Sequence, residues 1–500
     1  MKKTSAKTEL LIMAGLIILA AAVRLAVIFN FGTYTFDDLF SVHFARMNLP
    51  EMFSYLKNEV HPLFYYFLLH FWLAIFGDKE ITARLLSLIL NLACLPLLYY
   101  LTKQLINKQV AFLAGLIFAL SCFQIFNSAQ VRMYGLLTFL GLLSLNLFWL
   151  YFVRQKKYTL LLCAIANVLM LLTHLGGIFG VIIQILWFLI LIWKKQISRP
   201  MIIKFALAQI VILTAWLFWL IPIFLPKLTD IIQQGWYLQS QMNRNPALGV
   251  YDYFFPLLRN YWLRLVSGTI IFCAPFLILI WPRKDAGKNI PGNISPNWFL
   301  LAWFLPGFLI SVLTGLNLPR IFSVSYLGFY VAAAYLLYII FKSSKKTFWL
   351  ILIFWLTAAT VNLNIFISNN FSRWDLICRY LTQNQKNGGK IILSHFPDRL
   401  QYQYYCQTPV IAFYPFEDNQ NFDERIVKNN WRITTPESLE KFGQEAAAAE
   451  KIFIVYEGLS GGAAFDALSR DWLLKNGWQK TGAFRPSAIF GPEVIVYEKK

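Results

Sequence analysis

Two adjacent carboxylates, Asp37 and Asp38, follow the first apolar segment of the chain at residues 10–31. Carboxylates at the edge of a bilayer are costly to place and often have a function. Because like charges repel, one of the two can have its pKa raised toward neutrality, which suits a general base. An ordinary cap of the next helix is an alternative. A divalent cation shared with His43 or His61 is a third interpretation.

Two histidines lie next to other apolar segments. His61 opens the run His61-Pro62-Leu63-Phe64-Tyr65-Tyr66, and proline is favoured in the first turn of a helix. His61 is therefore open to three roles, as a helix cap, a metal ligand or a hydrogen-bond donor to a substrate. His174 ends an apolar segment and precedes Gly176-Gly177, where the absence of side chains allows a backbone or a substrate to come close.

Three arginines sit near the outer ends of apolar segments: Arg24, Arg132 and Arg320. Arginine at membrane depth is expensive and usually faces a cavity or a partner. Its planar fork also matches the geometry of a phosphate group. Snorkelling to lipid headgroups is the alternative for each one. Together with Tyr134, which lies two residues after Arg132, they predict a site for a lipid phosphate.

The composition is that of a polytopic membrane protein. The chain has 500 residues, 58% of them hydrophobic and only 14% charged, with a mean hydropathy of +0.54. Soluble proteins are nearer half apolar and a quarter charged. The net charge of +20 comes from short basic clusters between apolar segments. Membrane topology explains such clusters, so the sequence argues against binding to nucleic acid.

About eleven apolar segments have a length that can span a bilayer. They lie at 10–31, 81–102, 110–126, 135–153, 158–173, 177–193, 202–225, 263–281, 298–315, 321–341 and 347–367. With this count all six basic clusters fall on one side, which the positive-inside rule makes cytoplasmic together with the N-terminus. The apolar run His61–Gly77 is too short to cross, and we expect it to lie in the outer membrane interface.

The sequence predicts two domains. A membrane domain at 1–368 includes interfacial helices in the first outer loop at 32–80. Residues 369–500 are more polar, and alternating strands and helices predict a small α/β domain on the extracytoplasmic side. The strands are expected at Lys390–Ser394, Pro409–Phe413, Lys451–Tyr456 and Glu493–Tyr497. Cys378 and Cys406 lie in this region, and whether they pair is left open by their spacing.

Several of these motifs together resemble the type C glycosyltransferases, known as the GT-C fold. They are Phe36-Asp37-Asp38 after the first span, the His61–Tyr66 run, Phe76-Gly77 with Arg84, and Gln130-Val131-Arg132-Met133-Tyr134. The similarity is to the branch related to protein O-mannosyltransferases and the aminoarabinose transferase of lipid A. More narrowly, it is to the bacterial branch named after rhizobial lipopolysaccharide galacturonosyltransferases. It covers residues 10–200 by motif, and the rest by span pattern and polar tail.

The resemblance implies an enzyme of the plasma, or inner, membrane. It would move a sugar from a polyprenyl-phosphate carrier to an acceptor on the outer face, usually with inversion. The acceptor would be a glycolipid, a glycan or a protein. The first acid of the family's Asp-Glu pair corresponds to Asp37, the expected general base, and the second is replaced by Asp38.

The remaining roles follow from the same hypothesis. Arg320, with Arg132 or Arg24, would stabilise the leaving phosphate. Tyr134 and His174 complete the expected substrate site. Asp38 and His61 would orient the base or bind a divalent metal ion, and no other cofactor is expected.

Other classes stay open at this point. A lipid-linked glycan transporter would have many spans and membrane arginines, with broken helices or repeat symmetry near the midplane. An O-antigen ligase or polymerase depends mainly on arginine and histidine in a long late loop, and the loop at 226–262 has Arg244 and Arg259 but no histidine. A membrane scaffold without catalysis is the remaining alternative.

Overall fold

The protein is mostly helical, with one small β-sheet near its C-terminus. The structure is a computed structural model, and it describes residues 6–56, 61–152, 156, 158–226, 273, 276–277, 294–314, 320–368, 372–385, 389–393, 398–406, 412–413, 436–457, 470–486 and 492–499. The predicted span at 263–281, the predicted strand segment at 409–411 and the loop at 226–262 lie wholly or almost wholly outside these residues.

The described residues contain seventeen α-helices, numbered in chain order. They are α1 Ala6–Asn30, α2 Phe36–Arg46, α3 Leu49–Leu56, α4 Phe64–Phe76, α5 Glu80–Leu105, α6 Lys108–Leu120, α7 Cys122–Ala129, α8 Tyr134–Phe152, α9 Thr159–Leu171, α10 Ile178–Trp193, α11 Arg199–Trp219, α12 Pro296–Thr314, α13 Ser323–Ser343, α14 Lys345–Ser368, α15 Trp374–Asn384, α16 Asp398–Tyr405 and α17 Pro436–Ala447. The strands are β1 Lys390–Leu393, β2 Ala412–Phe413, β3 Lys451–Glu457, β4 Trp478–Phe484 and β5 Pro492–Lys499. A 3₁₀ turn at Leu175–Gly177 precedes α10, and a π-helical turn at Leu220–Phe224 follows α11.

Among the described residues, eight helices are long and apolar enough to cross a membrane, and a bent pair would make nine. The predicted number of about eleven is therefore not confirmed. The predicted span at 158–173 is the 13-residue helix α9, which is about 20 Å long and shorter than a bilayer core of about 30 Å. Helix α4 also has 13 residues, as expected for a segment too short to span. Its place at the membrane surface stays a prediction.

The predicted span at 110–126 is broken into α6 and α7, which meet at an angle of 53°. The break is at Ser121, which is the C-cap of α6 and the N-cap of α7. The Ser121 hydroxyl also lies 2.6 Å from the Tyr330 hydroxyl of α13. A serine that caps a new helix explains why the apolar run does not continue as one straight span.

The chain divides into two compact units. Unit 1 contains Met1–Val27, Val60–Trp72 and Arg84–Ile365. Unit 2 contains Ile28–Glu59, Leu73–Ala83 and Phe366–Lys500. By this division the parts of the first loop at 32–59 and 73–80 belong to the same compact unit as the C-terminal region, whereas residues 60–72 belong to unit 1. The sequence-based division at residue 368 groups the first loop with the membrane helices instead, and it stays a prediction.

Unit 1 packs its membrane helices through aromatic side chains. Trp187 of α10 lies edge-on to Trp149 of α8 and to Trp303 and Phe299 of α12, with ring centroids 5.5–6.3 Å apart. The Trp187 indole N–H donates to the Phe299 carbonyl at 2.8 Å. Buried aromatic rings therefore provide both area and direction to this packing.

The sheet of unit 2 has the strand order β2-β1-β3-β5-β4. Strand β1 is parallel to β2 and β3, whereas β5 is antiparallel to β3 and β4. Strand β3 alternates its side chains between two cores: Phe453 and Val455 pack with Trp374, and Ile452 and Ile454 pack with another set. The predicted α/β architecture and the fold class are thus confirmed.

Strand β4, Trp478–Phe484, was missed by the sequence prediction. It lies at the edge of the sheet, and its residues Gln479, Lys480 and Thr481 are exposed. Its register also shifts between Lys480 and Gly482. An irregular polar edge strand has little of the apolar alternation by which strands are recognised in a sequence.

Candidate functional site

Unit 1 brings five of the predicted site residues together. The His174 ring lies 5.7 Å from the His61 ring and 5.8 Å from the Tyr134 ring, measured between centroids. The Arg320 guanidinium lies 5.9 Å from the centroid of Tyr134. The charges of Arg320 and Arg132 both act on His174. We call these five residues the cationic cluster: His61, Arg132, Tyr134, His174 and Arg320.

The ends of helices position the cationic cluster. His174 precedes the 3₁₀ turn at Leu175–Gly177, and Arg132 and Tyr134 lie between α7 and the first turn of α8. The Phe64 backbone N–H donates to the Leu172 carbonyl at 3.1 Å, which ties the start of α4, next to His61, to the end of α9. Residues distant in the sequence are thus joined by the packing of unit 1.

A glycine makes this approach possible. A Cβ at Gly176 would lie 2.2 Å from the Ile321 carbonyl oxygen and 3.0 Å from the His174 Nδ1 atom. Any side chain at this position would push away the segment that carries Arg320. The Gly176-Gly177 pair was singled out in the sequence for close approach, and at Gly176 the structure has that approach.

His174 is buried, and its protonation state follows from its surroundings. Its Nδ1 accepts a hydrogen bond from the Gly176 backbone N–H at 2.9 Å. Burial first, and then electrostatic repulsion by His61, Arg320 and Arg132, hold the pKa of His174 well below its usual value of 6.5. The ring is therefore neutral at pH 7, and its single proton is on Nε2. His174 can then act as a hydrogen-bond donor toward an anion.

Arg24 is also in unit 1, but its guanidinium is occupied by other groups. Its Nε donates to the Asn91 side chain at 2.8 Å. Its Nη1 donates to the Ala20 and Ala119 carbonyls, and its Nη2 to the Phe118 carbonyl. The arginine thus caps the C-terminal end of α6 at the helix break. These bonds favour a packing role over the substrate role expected from the sequence.

Asp37 and Asp38 belong to unit 2, in the first turn of α2. Thr35 is the N-cap: its hydroxyl accepts from the Asp38 backbone N–H, and the Asp38 carboxylate accepts from the Thr35 backbone N–H, both at 3.3 Å. This is a capping box. The sequence left open an aspartate cap, and the structure makes Thr35 the cap with Asp38 as its reciprocal partner.

Asp37 has the more accessible carboxylate of the pair. Asp38 is fully buried, whereas Asp37 is partly exposed. The capping box consists of Thr35 and Asp38, and the Asp37 backbone carbonyl accepts from the Ser41 hydroxyl one turn later. Of the two acids, Asp37 is therefore the more accessible to solvent.

The segment before α2 is held by residues that the sequence did not single out. The Tyr34 backbone N–H donates to the Tyr405 hydroxyl at 2.8 Å, and that hydroxyl donates to the Glu80 carboxylate at 2.6 Å. Neither Tyr405 nor Glu80 is part of a recognisable motif. Their sequence separation from Tyr34 left no periodic signal by which to find them.

The sequence makes Asp38 and His61 the candidate ligands of a divalent metal ion. No group of three or more His, Cys, Asp or Glu side chains in the described part of the chain could hold a metal ion. The carboxylate of Asp38 is used in the capping box. The described residues therefore do not form a fitting metal site.

Comparisons with known proteins place this geometry in context. Residues 60–219 match the family model described as dolichyl-phosphate-mannose-protein mannosyltransferase. An uncharacterized protein of Aquifex aeolicus (strain VF5) is 25% identical over 325 residues, which are 63% of this chain and 61% of that protein. The matched region thus spans less than two thirds of that relative.

Solved membrane enzymes share the fold over nearly the whole chain. ArnT from Cupriavidus metallidurans has a TM-score of 0.54 at 13% identity, covering 97% of this chain and 98% of ArnT. The same protein bound to undecaprenyl phosphate has a TM-score of 0.55 at 12% identity, covering 98% of each chain. The oligosaccharyltransferase of Archaeoglobus fulgidus has a TM-score of 0.51 at 13% identity, covering 96% and 74%. The predicted resemblance to the type C glycosyltransferases is thereby confirmed, and the narrower bacterial branch stays a prediction.

Proposed function

Because this chain has the fold of the type C membrane glycosyltransferases, we propose that it moves a sugar from a polyprenyl-phosphate carrier to an acceptor hydroxyl. The family match and the fold together indicate a membrane glycosyltransferase. The donor class, the base and the side of the membrane are our proposals.

The cationic cluster is the observation that carries the proposal. Arg132, His174 and Arg320 place two guanidinium groups and a neutral imidazole donor within one part of unit 1. Guanidinium groups and an imidazole N–H donor match the oxygens and the negative charge of a phosphate group. A lipid phosphate supplies that negative charge, and the apolar helices around the cluster suit its hydrocarbon chain.

In the proposed reaction, Asp37 accepts the proton of the acceptor hydroxyl as its oxygen attacks the anomeric carbon of the donor. The bond from that carbon to the phosphate oxygen breaks, and the electron pair leaves with the phosphate. Arg320 and Arg132 stabilise this developing charge, while the His174 Nε2–H donates a hydrogen bond to it. Attack opposite the leaving group inverts the anomeric carbon.

The disulfide of the C-terminal region supports an extracytoplasmic location for unit 2. Cys378 of α15 and Cys406, which follows α16, form a disulfide. Disulfides persist in oxidising compartments and are rare in the cytosol. With the eleven spans that the sequence predicts, the positive-inside pattern of the basic clusters points to the same orientation. We therefore propose that unit 2 lies on the outer side of the plasma membrane.

The acceptor is proposed only as a class. ArnT has been solved with undecaprenyl phosphate, and the Archaeoglobus oligosaccharyltransferase with dolichol phosphate and an inhibitory peptide. These ligands are consistent with a polyprenyl-phosphate donor here and with a glycolipid, glycan or protein acceptor. They do not specify the sugar.

The proposal is tested with the purified full chain in liposomes and a panel of radiolabelled polyprenyl-phosphate sugars. Release of sugar to water, lipid or glycan acceptors is measured for wild type and Asp37→Asn. Glu51→Gln removes an exposed acid of the same loop, whose side chain contacts Asn48, and serves as the charge-matched control. We expect turnover by wild type and Glu51→Gln and none by Asp37→Asn. Undiminished turnover by Asp37→Asn would overturn the assignment of the base.

A further inference from the structure

The segment that leads into the Asp37 helix is anchored by the C-terminal region. Within unit 2, Gly32 forms a bridge with Ser372, and the Thr33 backbone N–H donates to the Ser372 carbonyl at 3.0 Å. The Thr33 hydroxyl donates to the Ser372 hydroxyl at 2.9 Å and accepts from the Trp374 backbone N–H at 3.1 Å. The Thr33 backbone N–H and the Thr33 hydroxyl are thus both held by residues that lie more than 330 positions later in the sequence.

Tyr34 continues this anchoring. Its carbonyl accepts from the Gln401 side-chain amide at 3.1 Å and from the Ser372 hydroxyl at 3.2 Å. Its own hydroxyl donates to the Asp78 carbonyl at 2.8 Å. Tyr34 is fully buried. The next residue is Thr35, the N-cap of α2, so the position of Tyr34 determines where the helix with Asp37 begins.

One hydroxyl group links two of these elements. The Tyr405 hydroxyl accepts from the Tyr34 backbone N–H and donates to the Glu80 carboxylate. Burial and the negative charge of Glu80 raise the pKa of Tyr405, so the hydroxyl keeps its proton at neutral pH. It is therefore a fixed donor to a carboxylate and a fixed acceptor for a buried backbone N–H. Loss of this oxygen would leave that N–H without its acceptor.

The helix that carries Tyr405 is itself held in place. Cys406 follows Tyr405 directly and forms a disulfide with Cys378.

Tyr404, the residue before Tyr405, contacts the Tyr34 ring edge-on at 6.0 Å and lies 5.9 Å from the Arg46 guanidinium. Arg46 ends α2 and forms an ion pair with Asp78 at 3.2 Å. The C-terminal region thus contacts both the segment before α2 and the end of α2.

We propose that Tyr405 is a positioning residue for the proposed general base Asp37, because its hydroxyl fixes, through Tyr34 and Glu80, the backbone that carries Asp37. This inference rests on the proposed function. It assigns the C-terminal region a direct part in the rate of transfer, in addition to any part in acceptor selection. A displacement of about 1 Å in a reacting group can lower the rate by about 100-fold.

The test compares variants that differ by one hydroxyl. Tyr405→Phe is expected to lower kcat by about 10- to 100-fold, with the donor KM within about twofold of wild type because the phosphate is bound elsewhere. Tyr404→Phe is the matched control, since the contacts of Tyr404 are made by its ring, and it is expected to keep the wild-type kcat. Thermal melting of each purified variant separates loss of fold from loss of position.

A second pair of variants changes Glu80, whose carboxylate accepts from the Tyr405 hydroxyl, and so tests the same hydrogen bond. Glu80→Gln retains an oxygen acceptor for Tyr405 and is expected to retain most activity, whereas Glu80→Ala is expected to behave like Tyr405→Phe. The double variant Tyr405→Phe with Glu80→Ala should lose no more than the larger single loss, because both act through one bond network. Additive losses would contradict the inference.

The outcomes separate this inference from the function on which it rests. If Asp37→Asn is inactive while Tyr405→Phe has wild-type kcat, the positioning role is overturned and the proposed function stands. If Asp37→Asn is fully active, the assignment of the base fails and the positioning role fails with it. A loss of kcat in Tyr405→Phe that comes with an equal loss in Tyr404→Phe, or with unfolding of the variant at the assay temperature, would mean a purely structural role.

Discussion

The two units hold their functional residues by different means. In unit 1, the cationic cluster is assembled from helix ends at His61, His174 and Arg320, whose rings and guanidinium lie 5.7–5.9 Å from their neighbours. In unit 2, the segment before Asp37 is fixed by directional hydrogen bonds of 2.6–3.3 Å, above all through Tyr405.

The difference matches the work that each unit is proposed to do. The side chains of an anion-binding cluster need not contact one another, because the bound phosphate itself connects them and offsets their charge. A general base has no such partner to arrange it and must be held by the protein within a fraction of an ångström. The contrast yields predictions that separate loss of binding from loss of positioning.

The largest effect is expected in the cationic cluster. Arg320→Gln should lower kcat/KM by about 100- to 1,000-fold, since it removes charge stabilisation from the leaving phosphate. Arg199→Gln, at an exposed arginine of α11, is the charge-matched control and should remain active. Both are measured by transfer from a radiolabelled donor together with binding of polyprenyl phosphate. If Arg320→Gln kept wild-type affinity and turnover, the phosphate site would have to lie elsewhere.

A smaller effect is expected from the disulfide of unit 2. Cys378 and Cys406 are 28 positions apart, and closing a loop of that length corresponds to about 3 to 4 kcal/mol of stability. The double variant Cys378→Ala with Cys406→Ala should therefore unfold at lower temperature. It should also lose turnover, because the disulfide no longer holds α16, the helix that carries Tyr405. Polyprenyl-phosphate binding by the cationic cluster should persist. The check is a melting curve with and without reductant, and equal loss of phosphate binding would break the comparison.

The smallest effect concerns pH and His174. Its pKa is lower in the folded protein than the unfolded value of 6.5, so the unfolded chain binds more protons as the pH falls below 6.5. Each pH unit below that value should cost about 1.4 kcal/mol of stability until the folded pKa is reached. His174→Asn keeps an acceptor for Gly176 and removes this dependence. Melting temperatures between pH 7 and pH 5 would test it, and parallel curves for both proteins would contradict it.

His174→Gln refines the same prediction. A glutamine amide can take the place of Nε2 as a donor, whereas an asparagine matches the acceptor Nδ1. If the Nε2 proton serves the phosphate, glutamine should retain more donor affinity than asparagine. The reverse order would indicate that the bond to Gly176 is the only role of the ring.

The sequence alone identifies candidate site residues when placing that residue type next to an apolar segment is energetically costly. Arg132, Arg320 and His174 could be found because charged and titratable groups are rare next to apolar segments, and the structure brings them together. Arg24 was found by the same rule, yet it caps the carbonyls of α6. The rule detects an expensive residue, but it does not tell a helix cap from a ligand site.

Other features depend on distant contacts and leave little signal in the sequence. The break at Ser121 depends on capping and on Tyr330 of another helix, so an apolar run was read as one span. Tyr405 and Glu80 are ordinary residue types that gain importance only because the fold places them against Tyr34. The polar edge strand β4 was missed for a related reason, since its pairing with β5 rather than its own pattern makes it a strand.

The central claim is that binding of the carrier phosphate and deprotonation of the acceptor are separate tasks of different residues. The most direct test measures both quantities on one preparation of Asp37→Asn: equilibrium binding of polyprenyl phosphate and turnover of the labelled donor. The account predicts wild-type binding with turnover lost. Turnover at the wild-type rate, or loss of binding together with turnover, would contradict it.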